Sequence, residues 1–342
     1  CLEKYMTKLS SIIAVAILTL GLGSCDSTAL AYGDVNSIIA VMRPELWDEV
    51  SEDVYSALEP TIRTVRDEKT FTVTYQDPLG DLWGNLRRFR QMLLIGTSQD
   101  TWIQEALERG SEGSSIARVG IHQVEDVWSR GQQVTVVLLP DGGGLEELTP
   151  HLAGVHELLD EQFRTYVVNR MYMSGADTAL ADTLAIEAGF SLILPMVYRW
   201  NQSDSVFLFR NDNPDPSELI RQIGVTWKTP IPSALQEERV LGWRSELVDG
   251  HYSEPQDHAL ENVSSGPIEH LGNNGYQVQA EWRNPPDRGW PAGGVFITRV
   301  IVCENQNRSY LLDSWLYAPG KEKYEYMIQL ETILDSFQCG SA

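Results

Sequence analysis

Four stretches of this 342-residue chain carry residue types at spacings that could do chemistry or bind a ligand. His156-Glu157-Leu158-Leu159-Asp160 comes one residue short of the helical zinc signature, in which two histidines four apart bring both nitrogens to one metal. Asp160 could ligate in place of the second histidine, but Leu158 and Leu159 lie beside an apolar helical stripe, so a solvated polar face accounts for His156 and Asp160 without metal. His251, Glu254, Asp257, His258 and His270 gather in one polar stretch, where a metal could collect them or water simply solvates them. Asp141-Gly142-Gly143-Gly144 sits between strand and helix like a phosphate loop, yet it lacks the following Lys-Ser/Thr that would reach phosphate and magnesium, and it reads as a plain turn. Neither G-x-S-x-G nor S-x-x-K occurs, so serine acyl chemistry has no support. The fourth stretch is Trp282 to Gly294, where Trp282, Pro285, Pro286, Trp290 and Pro291 crowd apolar rings beside Arg283 and Arg288. Rings that stack and guanidinium groups that grip carboxylates suit a peptide or glycan, and the competing reading is that the tryptophans form a minor core under the loop.

The elements that must hold these residues follow from periodicity. In the last quarter, Tyr276, Val278 and Ala280 alternate with Gln277, Gln279 and Glu281, the period of a strand with one face buried. Val295 to Cys303 is denser in apolar and β-branched residues and belongs in the middle of a sheet, and Tyr310 to Tyr317 returns antiparallel after the turn E-N-Q-N-R. Met327, Leu330, Ile333, Leu334 and Phe337 then form the apolar stripe of a closing helix, opposite Lys323, Glu325 and Glu331. About 8 residues of strand span ~26 Å and about 14 of helix ~21 Å, so the helix brings Cys339 back near Cys303, and a disulfide is geometrically reasonable in an oxidising compartment.

The amino terminus bears on the compartment. From Met6 the chain has a positive residue, an apolar run from Ile12 to Leu22 too short to span a bilayer, and small residues before Cys25. Leu22-Gly23-Ser24-Cys25 is similar to a bacterial lipobox, in which Cys25 is lipidated and becomes the first mature residue. The expected organisation is a signal peptide over 1–24, with 1–5 an upstream artefact, and a lipidated tether over 25–36. Two domains follow, an N-terminal α/β domain over 37–173 and a C-terminal α+β domain over 174–342. Acyl chains on Cys25 would hold the protein in the cell envelope, at the periplasmic face or outer membrane, without a transmembrane helix. A net charge of −22 repels phosphate backbones, which makes nucleic acid a poor partner.

Along the body, Ser37 to Met42 reads as a strand, and Pro44 opens a helix whose Trp47, Val50, Val54 and Leu58 face inward. Thr70 to Tyr75, Arg90 to Gly96 and Val134 to Leu139 are strands, and Leu145 to Phe163 lies on a long amphipathic helix. Ala176 to Ala188 is a helix. Phe190 to Leu194 and Val206 to Arg210 read as a hairpin around N-Q-S-D, Pro232 to Val248 as a helix, and His251 to Asn274 as a long irregular connection. The fold class is therefore α+β: two small sandwiches of mostly antiparallel sheets with helices packed on them, the C-terminal helix closing the second sheet.

Short blocks along the chain carry a family likeness. L-W-D-E-V, R-F-R-Q-M-L-L-I, V-F-L-F-R-N-D-N, E-W-R-N-P-P-D-R-G-W-P-A-G-G-V-F, S-W-L-Y-A-P-G-K-E-K-Y and Q-L-E-T-I-L together resemble the domain-of-unknown-function 4837 family of bacterial envelope lipoproteins. The resemblance implies a lipid-anchored protein and brings no catalytic residues. Where that family usually ends the tryptophan segment in Gly-Gly-Pro-Phe, this chain has Gly293-Gly294-Val295-Phe296. The order of elements in the C-terminal half is also similar to the Mog1/PsbP-like sandwich, which serves binding and assembly. The expectation is a non-catalytic binding or assembly module with no cofactor, engaging an envelope protein, peptide or glycan. The alternative is a lipid-anchored hydrolase, metal-assisted through the His251 to His270 stretch.

Overall fold

The structure, a computed structural model, describes residues 29–110, 118–232, 234–288 and 291–340. Its principal strands in chain order are β1 (Ser37–Val41), β2 (Thr72–Gln76), β3 (Gln91–Thr97), β4 (Gly120–Glu125), β5 (Gln133–Leu139), β6 (Arg199–Ser203), β7 (Val206–Asn211), β8 (Ile220–Lys228), β9 (Asp257–His270), β10 (Asn273–Arg283), β11 (Gly293–Cys303) and β12 (Arg308–Tyr317). The principal helices are α1 (Pro44–Leu58), α2 (Thr101–Arg109), α3 (Leu145–Met171), α4 (Thr178–Glu187), α5 (Glu237–His251) and α6 (Tyr324–Asp335). The class is α+β, as the sequence indicates.

The described residues divide into two compact units, the first of them comprising 29–34, 38–45, 74–110 and 118–143. Its sheet runs β2-β1-β3-β5-β4, with β1, β3 and β5 parallel and β4 antiparallel to β5. Strand β3 is buried along its whole length, which is why it reads as an unbroken apolar run rather than an alternation. Helix α2 lays Trp102, Ile103 and Ala106 into a core shared with Met92, Leu94, Val134 and Val136. Asp100 fixes the strand-to-helix corner by accepting from the Thr97 amide at 2.7 Å.

The second unit holds residues 35–37, 46–73, 144–232, 234–288 and 291–340. Its antiparallel sheet runs β9-β10-β11-β12-β8-β7-β6. Because side chains alternate, β12 sends Tyr310, Leu312 and Leu316 into one core with Leu180 and Leu184 of α4 and Met327, Leu330, Ile333 and Leu334 of α6. It sends Leu311, Trp315 and Tyr317 to the opposite core, under Val240, Leu241, Trp243 and Leu247 of α5. Helix α6 returns the chain as its length requires, and Cys303 and Cys339 meet at disulfide distance with Cα atoms 5.8 Å apart.

Three expectations are corrected in this unit. Phe190–Ser191 does not pair with β7; it pairs with Gln338–Cys339, and β7 takes its hairpin partner from β6 instead. R-W-N-Q-S is exposed at every position as the sheet's edge, so it offers no apolar alternation to find, and the chain reverses after it at Asp204 with φ 53°. The stretch from His251 to Asn274 is not irregular, since it contains β9, a 14-residue edge strand that is polar on its open side and interrupted by a register shift between Ala259 and Ser264. Lys323 is not on a wet face: it is buried, and its Nζ donates to Glu68 Oε1 at 2.9 Å.

A charged group sits at the centre of the α5 face. Arg244 and Asp313 are each 0% exposed and joined Nε to Oδ1 at 2.8 Å. Thr298 and Tyr252 donate to the same carboxylate, the Tyr252 hydroxyl at 2.8 Å, and Gln256 accepts from the guanidinium. Phe296 lies under the guanidinium at 3.9 Å from its ring centroid. Gly224 is required here, since a Cβ would come within 2.5 Å of the Tyr252 hydroxyl. The His258 ring meets Phe296 at a tilt of 43° with ring centroids 5.5 Å apart.

Burial, and then the nearby Arg244 charge, push the His258 imidazole down from 6.5 to about 4. Unfolded chain therefore binds this proton at higher pH than folded protein, so the stabilisation is complete above about 6.5 and is lost as pH falls towards 4. Discounted for the ring's partial exposure, the loss is about 1–2 kcal/mol. Urea midpoints measured from pH 7 to pH 4 should fall less steeply for His258→Gln than for the unaltered protein, and parallel profiles would refute the assignment.

Candidate functional site

The residues singled out in the sequence do not assemble into one centre. Of the two readings open for Trp282, the structure has the core one: it is 2% exposed, its Nε1 donates to the Leu316 carbonyl at 3.1 Å, and its ring meets Trp315 edge-on at 5.3 Å. Arg283 remains exposed beside Glu261 at 3.6 Å, and Arg288 is exposed on the same turn. Trp290, together with Cys25 and the signal segment, lies outside the described residues. The five polar residues of 251–270 are dispersed. His258 and His270 stand near opposite ends of β9, about 40 Å apart for 12 residues of strand, and His270 Nε2 lies 2.7 Å from the Phe337 carbonyl. Glu254 is engaged by both terminal nitrogens of Arg210 at 2.9 Å.

In the two remaining motifs the glycine loop and Asp160 are already engaged. The Leu145 amide donates to Glu49 Oε1 at 3.2 Å and the Gly144 amide to Glu147 Oε2 at 2.8 Å, so carboxylates fill the helix start that a phosphate would need. Asp160 accepts from Arg164 Nε at 2.7 Å and from the Tyr324 hydroxyl, and the His156 ring meets Phe71 edge-on at 6.0 Å.

A different place in the second unit has the form of a site. The end of α3, the segment leading into β6, the corner between β7 and β8, and one flank of α6 enclose a cleft of about 410 Å³. The apolar part of its wall is Met171, Met173, Pro195, Val197, Leu219 and Tyr326, with Asn211 and Asn213 among the polar residues beside them. Met173 at the rim is 83% exposed, and methionine adapts readily to the shape of what it covers. Gly175, at φ +94°, lets the chain turn between α3 and α4 close beneath Met196, whose sulfur would lie 3.1 Å from an added Cβ.

Polar groups converge on the floor of this cleft. Tyr198 is 8% exposed, and its hydroxyl has no hydrogen-bond partner among the described residues. Burial pushes this phenol up to about 12, so it stays protonated and able to donate. Arg221 donates from Nη1 to Gln329 Oε1 at 2.7 Å and from Nη2 to the Asn213 carbonyl at 3.3 Å, while its Nε has no partner among the described residues. Its guanidinium lies 5.6 Å from the Tyr326 ring centroid. Glu325 is held by Arg170 at 3.3 Å and also accepts from Gln329, which links both arginines through one chain of hydrogen bonds. A buried donor without an acceptor costs about 1–3 kcal/mol, and these two belong to side chains that line one cleft, where an acceptor would relieve that cost.

The sequence reading missed this cleft. The available signal was the pairing of M-Y-M at 171–173 with P-M-V-Y at 195–198, two segments combining methionine and tyrosine on either side of one helix.

The fold is thus an α+β arrangement in which a helix-covered antiparallel sheet carries an apolar cleft with a donor-lined floor. Residues 177–336 match the family described as Domain of unknown function (DUF4837), as the quoted blocks indicate for the C-terminal half. Residues 31–151 match a second family, Domain of unknown function (DUF8532), and it is there that L-W-D-E-V and R-F-R-Q-M-L-L-I fall. No curated protein matches the chain. Among solved structures, cyanobacterial PsbP from Synechocystis sp. PCC 6803 is similar at 14% identity and a TM-score of 0.29, over 45% of this chain and 88% of that one. The Ran-binding protein Mog1p of Saccharomyces cerevisiae is similar at 10% identity and a TM-score of 0.31, over 45% and 91%. These likenesses agree with the pattern expected for the Mog1/PsbP-like sandwich and carry no argument about function.

Proposed function

We propose that this protein is a lipid-anchored envelope module that binds a ligand without transforming it, and that the cleft floored by Tyr198 and Arg221 is its site. The observation that supports this most directly is the pair of buried, partnerless donors, the Tyr198 hydroxyl and Arg221 Nε, beneath an apolar wall. Binding relieves the cost of leaving them unsatisfied. The hydrolase alternative has little support, because His251 ends α5, Glu254 lies in the connection after it, Asp257, His258 and His270 lie on β9, and no three such side chains among the described residues are grouped to hold a metal.

Two observations support export and anchoring. Leu22-Gly23-Ser24-Cys25 follows a short apolar run, and the two cysteines of the folded body stand at disulfide distance, a pairing suited to an oxidising compartment. No helix among the described residues is long and apolar enough to cross a membrane. Labelled palmitate should enter the protein in bacteria and should fail to enter Cys25→Ser, while equal labelling of both forms would refute the anchor.

The site itself is tested by a mixed small-molecule screen followed by NMR. Hits should perturb Tyr198, Arg221 and Tyr326, and Tyr198→Phe should weaken them at least fivefold. Hits confined to the Trp282–Arg288 turn, or none at all, would sink the reading.

A further inference from the structure

We infer that the cleft takes an organic carboxylate carried on a compact apolar body, with Arg221 and Tyr198 gripping the carboxylate. This rests on the cleft being the binding site and names its ligand class.

Charge is the first argument. The ionisable groups lining the cleft with full charge are Arg170, Arg221 and Glu325, a local excess of one positive charge in a chain whose net charge is −22. Glu325 is committed to Arg170 at 3.3 Å. Arg221, in contrast, is half-buried and has only neutral acceptors, the Gln329 amide and the Asn213 carbonyl, with no carboxylate among the described residues within ion-pair distance. A partly desolvated guanidinium without a counter-ion favours an anion strongly, and its planar fork matches a carboxylate.

Shape and satisfaction give the second argument. A phosphate or sulfate would bring no apolar surface to meet the Met, Pro, Val, Leu and Tyr side chains of the lining, whereas Arg221, with only two of its five N–H groups engaged, and the Tyr198 hydroxyl leave donors for a carboxylate on an apolar body. A carboxylate answers the guanidinium and the phenol, and its apolar substituent answers the rest of the wall. At about 410 Å³ the cleft falls in the range of ~300–1,000 Å³ typical of small organic ligands. The exposed methionine rim permits a body that continues outward, as the end of a peptide chain would.

The same chemistry could come from a chain end or from a free short acid, and calorimetry on the full protein separates them. The ligands are N-acetyl-Ala-Ala-Leu with a free carboxylate, its C-terminal amide, and hexanoate. The free peptide should bind at least tenfold more tightly than its amide, more weakly in high salt, and with that discrimination abolished in Arg221→Gln. Arg221→Lys, which keeps the charge but loses the fork, should retain only part of it and guards against a folding defect in the glutamine variant. Hexanoate binding as tightly as the peptide would assign a free acid, and tighter peptide binding a chain end, and both support the carboxylate. Equal affinity for peptide and amide would overturn the carboxylate and leave the cleft as a site. If neither carboxylate binds while screened compounds still perturb Tyr198, the ligand class is also overturned. Failure of every compound would overturn the site along with it.

Discussion

Arg244→Met is expected to destabilise the protein by about 3–5 kcal/mol, because it strands the Asp313 carboxylate at a position with no access to water. The carboxylate would keep the Thr298 and Tyr252 hydroxyls but lose its cation, and Phe296 would lose the guanidinium stacked on it. The double variant Arg244→Met/Asp313→Leu removes both charges and should recover much of the loss, since a buried pair contributes little net stability over an apolar replacement. Urea midpoints for the two variants decide the matter. A single variant that loses less than about 1 kcal/mol would mean that water reaches this centre and that the pair is not isolated.

Trp282→Ala should cost about 3–5 kcal/mol, the usual range for removing a large buried aromatic. The ring fills the space beside Trp315 and Tyr317, and its indole nitrogen takes the Leu316 carbonyl. That carbonyl also explains the paired glycines: a Cβ at Gly294 would lie 1.8 Å from it and 2.8 Å from the Trp282 indole nitrogen. Arg283→Ala and Arg288→Ala, on the exposed side of the same turn, should stay within about 0.5 kcal/mol. If Trp282→Ala proves nearly neutral while the arginine variants abolish binding of some ligand, the turn is a recognition surface after all.

The contrast between these residues shows what could be read from sequence. The last quarter was legible because its strands alternate or run apolar, and because strand and helix lengths predict where Cys303 and Cys339 meet. Strands β6 and β9 were hidden because edge strands bury little, and what remained looked like polar loop. Trp282 stayed ambiguous for a related reason. Composition says that rings and guanidinium groups are adjacent in the chain, but the side a tryptophan faces is set by register, here its pairing with Gly294 opposite. Beyond its methionine-bearing flanks the cleft left little trace, because Tyr198, Arg221 and Tyr326 come from three distant segments, and a missing hydrogen bond leaves no mark on a sequence.

The interrupted edge strand has a consequence for how copies of the protein behave when crowded together. Strand β9 breaks its own ladder between Ala259 and Ser264, places Glu261 and Glu269 along its length, and includes Pro267, which has no amide hydrogen to offer. A neighbour seeking to extend the sheet would find only short runs of unsatisfied backbone separated by charge. Copies held side by side at high density would therefore resist stacking into fibrils along that border.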